Sequence, residues 1–181
     1  MLGHYCIIMA SIYEVADVIG KITEGFNREV LNCMDENKGI IRGYIREQLY
    51  SGLDGTDHLI KPTYDDDPFF KEEGQWHNNA KGYKKWKMDK TPPVESQVLH
   101  LPPRPEEVPN LYITGAFYDS ITITKKRVRV AITSDGFVDG DAIIRKYKKK
   151  ILKPGTRAKE KFVEDYLKPH LKRFFRSCGL K

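Results

Sequence analysis

Six of the chain's ten prolines fall within residues 91–109: Pro92, Pro93, Pro102, Pro103, Pro105 and Pro109. Each proline fixes its own φ and removes a backbone donor, so this stretch cannot be helical and cannot sit inside a sheet. It must be an extended, polyproline-like segment, lying along its own domain or reaching a neighbour. The chain is 181 residues long, which corresponds to one domain with such an arm set inside it.

Two patterned regions flank the arm. On its N-terminal side, Ile12, Val15, Ala16, Ile19, Ile22 and Phe26 recur at three- and four-residue steps, and Val30, Leu31, Met34, Ile41, Tyr44, Ile45, Gln48 and Leu49 continue a similar stripe. Gly25 and Asn37–Gly39 are weak points, so residues 12–50 read as two helices or one interrupted helix ending at Ser51-Gly52. Residues 53–75 carry turn chemistry, with at most a short extended pair around 58–64; 76–88 read as a short helix or an ordered loop.

After the arm, alternation predicts strands over 120–125 and 127–133, turning at Lys125-Lys126, with Val128, Val130 and Ile132 on one side. A helix over 139–149 follows, then a last helix capped by Thr156 and kinked at Pro169. The expected fold class is therefore α+β: a long N-terminal helical region, a small antiparallel sheet and C-terminal helices. Residues 53–110 form a loop and arm inserted before the sheet, and residues 1–11 are an N-terminal extension ahead of a single domain, 12–181.

Charge is divided unevenly. Residues 125–181 hold 18 Lys+Arg against 6 Asp+Glu, whereas residues 1–124 hold 13 against 19. A basic half can meet an acidic half, its own or a neighbour's, or it can lie on a polyanion. Its densest patch is Arg145, Lys146, Lys148, Lys149 and Lys150, for which a solvated helix end, phosphate contact and an acidic partner are all open readings.

No nucleotide, metalloprotease or hydrolase motif is present, and no histidine is spaced as a ligand pair. Asp65-Asp66-Asp67 is a solvated acidic loop or a weak cation site; Trp76 and Trp86 are packing aromatics or stacking platforms. Cys6, Cys33 and Cys178 are too far apart in sequence for a zinc cluster and read as reduced thiols. No catalytic, cofactor-binding or metal residue is assigned, and an enzyme is not expected. The N-terminus shows neither a signal nor a membrane anchor, so the chain is expected in a cytoplasm or in a particle assembled there.

Two stretches carry a family pattern. One ends the helical region, Gln48-Leu49 then Gly52 before Asp54-Gly55. The other is Thr114-Gly115, Phe117, Ser120 and Ile121 leading into the strand pair. Together they resemble small virion proteins of Bacteroidetes (crAss-like) phages and the tail-completion and head–tail connector family of tailed phages. The resemblance implies a structural protein of the phage neck, located in the virion. It implies a ring between portal and tail, of 12 copies by the usual connector symmetry, with portal and other neck or tail proteins as partners and DNA within reach. In this reading Pro92, Pro93, Pro102, Pro103, Pro105 and Pro109 form a subunit-contact arm. The alternative is a nucleic-acid-binding accessory protein using Arg145–Lys150. Independently of the family, Ile113, Phe117 and Ile121 are expected to face the core.

Overall fold

The computed structural model describes residues 12–180; the N-terminal extension, with Cys6, lies outside them. The α+β expectation holds: helices carry most of the chain, with one two-stranded antiparallel sheet among the described residues. Helix α1 spans Ile12–Glu36 and α2 spans Lys38–Tyr50. They break where the weak point was expected, at Asn37, whose side-chain amide donates to the Cys33 carbonyl at 2.9 Å. Gly25 is no weak point. It is buried in an unbroken helix, and a Cβ there would lie 2.5 Å from the Phe174 ring, so the missing side chain makes room for that ring.

Helix α2 is the centre of the core, burying Ile41, Tyr44, Ile45, Gln48 and Leu49. It stops at Ser51 because Gly52 takes φ 70°, returning its amide to the Leu49 carbonyl at 2.9 Å. Helix α3 spans Ala80–Lys90. The extended pair anticipated around 58–64 reduces to one bridge, Leu53 with Leu59.

The short helix α4 (Ala116–Asp119) leads into strand β1 (Ile121–Lys125), which pairs with β2 (Val130–Ser134) in the register Ile121↔Ser134 to Lys125↔Val130. The second strand therefore begins three residues later than alternation placed it. Arg127, Val128 and Arg129 form the turn, closed by the Lys126 amide on the Arg129 carbonyl, and Val128 is 80% exposed at its tip.

Helix α5 runs Gly140–Tyr147, shorter than expected. Lys148 adopts φ 67°, and a 3₁₀ turn over Lys149–Leu152 follows. Continuing the helix would carry Ile151 and Leu152 past the core; the break turns both inward, where they are buried. Helix α6 (Thr156–Phe162) passes through a π turn (Val163–Leu167) into α7 (Lys168–Ser177). Pro169 supplies no N–H to the ladder, and the chain meets this with the widened turn immediately before it. Thr156 is not its own cap. Its amide and hydroxyl both donate to the Asp57 carboxylate, from the other side of the sequence.

Candidate assembly surface

The proline segment does not stand away from the fold. Extended backbone alternates its side chains, and here the prolines take the outer positions while their neighbours turn in. Pro92, Pro102 and Pro103 are exposed, Pro93 and Pro105 are half-buried, and Pro109 alone of the six is buried. Between them Leu99, Leu101 and Val108 enter the core cluster. Glu47 on α2 accepts the Val98 and Leu99 amides at 3.1 and 2.9 Å, and Arg157 on α6 donates to the Leu99 and His100 carbonyls. The arm is a strap across its own domain. Whatever a neighbour could touch of it is an outer face that includes Pro92, Pro102 and Pro103 together with the exposed Val94 and Val98.

The family-pattern residues are structural. Gln48, Leu49 and Gly52 are buried at the end of α2, and a Cβ on Gly52 would sit 2.6 Å from Val108 of the strap. Gln48 holds the turn before α6, donating to the Lys153 carbonyl at 3.1 Å and accepting the Gly155 amide at 2.6 Å. Phe117, Ser120 and Ile121 are buried, and Ser120 Oγ bridges to the Phe117 carbonyl and Ser134 Oγ, each at 2.7 Å. Thr114 Oγ1 receives the Ala116 amide at 3.3 Å, and Gly115 heads α4 at φ 90°. The two stretches are joined by Arg46, whose guanidinium donates to the Tyr118 carbonyl and to Asp119 Oδ1 at 2.8 Å. Ile113 departs from expectation: it is 60% exposed. The left-handed turn at Gly115 lies between it and Phe117, and it ends on the rim of a surface groove instead.

The patch Arg145–Lys150 is divided by the helix break. Lys146 reaches back to Asp67 (2.5 Å) and Lys150 to the fully buried Asp54 (2.6 Å). Asp54 also accepts the Thr56 amide and hydroxyl at 2.7 and 2.5 Å. Burial pushes its carboxyl up, and the Lys150 and Thr56 hydrogen bonds outweigh that and hold it below the ordinary value. Arg145, Lys148 and Lys149 stay exposed. The acidic run 65–67 is likewise tied down: Asp65 pairs with Lys84 at 2.7 Å and Asp66 accepts from Thr63. No group able to hold a metal is found among the described residues. Part of the basic half thus meets the chain's own acidic half. His170, unremarkable in sequence, lies between Glu29 (3.3 Å) and Glu36 (3.6 Å) of α1. Trp76 and Trp86 pack on one another and on Tyr83, with centroids 5.3–5.7 Å apart.

A groove of about 630 Å³ lies between the 3₁₀ turn Pro68–Lys71, α3 and α5, walled by Tyr64, Phe70, Tyr83 and Tyr147, with Ile113 on its rim. Lys87 forms part of its wall and is the largest fully buried side chain described. Its Nζ donates to Asn110 Oδ1 at 2.8 Å and to the Tyr112 carbonyl, with no carboxylate partner. Burial, reinforced by Arg104, pushes this amine down to about 8. Free Cys33 and Cys178 are both buried.

The outer end of α1 leaves several apolar side chains exposed. Ile12 is 79% exposed, Tyr13 83%, Val15 47%, Ile19 57% and Phe26 39%. Ile12, Val15, Ile19, Ile22 and Phe26 are spaced three, four, three and four residues apart, the period of a helix seam. The inner side of α1 is covered by α7, where Phe26 stacks on Phe175 with centroids 6.4 Å apart. Beside that stack α7 offers a hollow of about 480 Å³ lined by Leu171, Phe175 and Leu180 and edged by Lys168, Lys172 and Arg176. No helix among the described residues is long and apolar enough to cross a membrane.

Searches for related proteins return nothing: no family model, no curated protein and no solved structure matches this chain.

Proposed function

We propose that the chain is a structural subunit of a tailed-phage virion. It closes with copies of itself into a ring in the neck between portal and tail, with 12 copies by the usual connector symmetry. The single observation that carries self-association is the seam on α1. A 25-residue helix, about 37 Å long, carries apolar side chains at coiled-coil spacing and leaves those of its outer end, Ile12, Val15 and Ile19, in water. Burying such side chains is worth about 1.5–3 kcal/mol each, so a partner is expected there.

The partner that fits is a second copy. Residues 12–24 carry Glu14, Asp17 and Glu24 against one lysine, while the hollow on α7 is apolar with a basic edge. Docking α1 of one copy on α7 of the next joins unlike surfaces, and such head-to-tail contacts close into rings when the rotation allows. The likeness of the Gln48–Gly52 and Thr114–Ile121 stretches to connector proteins supplies the location.

The test is I12S/V15S/I19S, three exposed positions whose change should leave the thermal midpoint nearly unmoved. Sedimentation and native mass should show higher-order assembly for the unmodified chain with its portal and a monomer for the variant. A chain that stays monomeric with portal present and is absent from purified virions would overturn the reading.

A further inference from the structure

A second surface is charged without a structural need for the charge. An open groove of about 710 Å³ runs between the start of α2 and the β hairpin, with Lys38 and Arg42 on one wall and Lys125, Lys126 and Arg127 on the other. Asp35 is the one acid lining it, and it stands 3.8 Å from Lys38, both groups well exposed. Lys125 donates to Asn32 Oδ1 at 2.5 Å, a neutral acceptor that leaves its charge uncompensated. Arg129 adds another exposed cation across the turn.

These cations contrast with Lys146 and Lys150, which neutralise buried carboxylates and so have a reason in the fold. The hairpin tip buries nothing: residues 124–129 are exposed throughout, including Val128. Bringing five like charges along one groove costs repulsion that a bound polyanion relieves.

We propose that this groove binds the phosphate backbone of duplex DNA, with the hairpin tip laid against the double helix. Three features favour this ligand. The cations stand in two facing rows, as a backbone passing between them requires. Thr122 and Thr124 line the same groove and offer hydroxyls to phosphate oxygens. No aromatic lines it, so bases are not stacked, and a two-stranded ribbon is of a width that a DNA major groove admits. An acidic protein partner would be expected to meet an apolar centre, and Ile123 is the one apolar residue here. The contact is with the backbone and is therefore indifferent to sequence.

Five phosphate contacts give log K a slope of about −4.5 against log salt, or about 500-fold weaker binding at 200 mM than at 50 mM. The experiment uses the full chain and a labelled random 30-base-pair duplex, followed by fluorescence anisotropy across that range. K125A/K126A/R127A changes exposed side chains only; its thermal midpoint should match the parent, its slope should fall to about −2, and its affinity at 100 mM salt should drop at least tenfold. R145A/K148A/K149A, cations outside the groove, should keep the parental slope. The proposal is overturned if the unmodified chain fails to bind at 50 mM salt, if the second variant loses as much as the first, or if poly-glutamate displaces the duplex as well as unlabelled duplex does. I12S/V15S/I19S should still bind with a slope of about −4.5, which separates this site from the ring.

Discussion

Lys87 offers the sharpest test of the packing. It is 1% exposed on α3, held by Asn110 and Tyr112 and faced by the buried Arg104, with no acid among its contacts. Its amine is pushed from 10.5 down to about 8. At about 1.4 kcal/mol per pH unit, that is a destabilisation of about 3 kcal/mol while the lysine is charged. The perturbation is Lys87→Met, which keeps the stem and deletes the titration. Between pH 8 and 10.5 the unfolded chain binds more protons at this position than the folded one, so stability rises with pH over that window. Buried Tyr64 and Tyr118, held far above the ordinary tyrosine range by burial, pull the other way in both proteins and cancel in the difference. Urea unfolding of both at pH 7.5, 8.5, 9.5 and 10.5 is the assay. The parent's stability relative to Lys87→Met should climb by about 3 kcal/mol across the series. Removing the amine leaves the Tyr112 carbonyl without its donor and the Asn110 oxygen with the Tyr112 amide alone, which shifts the variant by about 1–3 kcal/mol at every pH and does not alter the climb. A flat difference would refute the reasoning and mean that Lys87 is hydrated or paired with an anion.

Two further outcomes follow from the core. Excising residues 91–109 should unfold the protein, since Leu99, Leu101 and Val108 go with them; Leu101→Ala alone should cost about 2–5 kcal/mol in urea unfolding, and a fully folded deletion by circular dichroism would refute the strap. Phe117→Ala should cost about 3–5 kcal/mol, because the ring is 3% exposed and packs 6.3 Å from Phe137; a change near zero would show that the entry to β1 is misplaced.

Much of the architecture was legible from local chemistry. The helical period over 12–50, its break near Asn37, the stop at Gly52 and the presence of one hairpin all follow from neighbours within a few residues. The misreadings lie where a turn or the core overrode a continuing pattern. Strand β2 starts at Val130 because Lys126 and Arg129 close the turn, although Val128 continued the alternation. Helix α5 ends at Tyr147 so that Ile151 can enter the core. Ile113 shares an apolar spacing with Phe117 and still faces solvent, because the chain turns at the left-handed Gly115 between them. The seam on α1 was visible as a period, but periodicity alone could not tell which of its residues the rest of the protein leaves exposed.

The proline-rich stretch shows the division most clearly. Its prolines require that residues 91–109 are extended, because a fixed φ and missing donors exclude helix and sheet interior. They do not determine where that segment lies, since position depends on the side chains between the prolines and on Glu47, Arg157 and the core they meet. The charge division was likewise present in the sequence. Which cations are neutralised by the chain's own buried carboxylates, and which gather along the hairpin groove with Asp35 as the one acid beside them, depends on contacts between residues far apart in sequence.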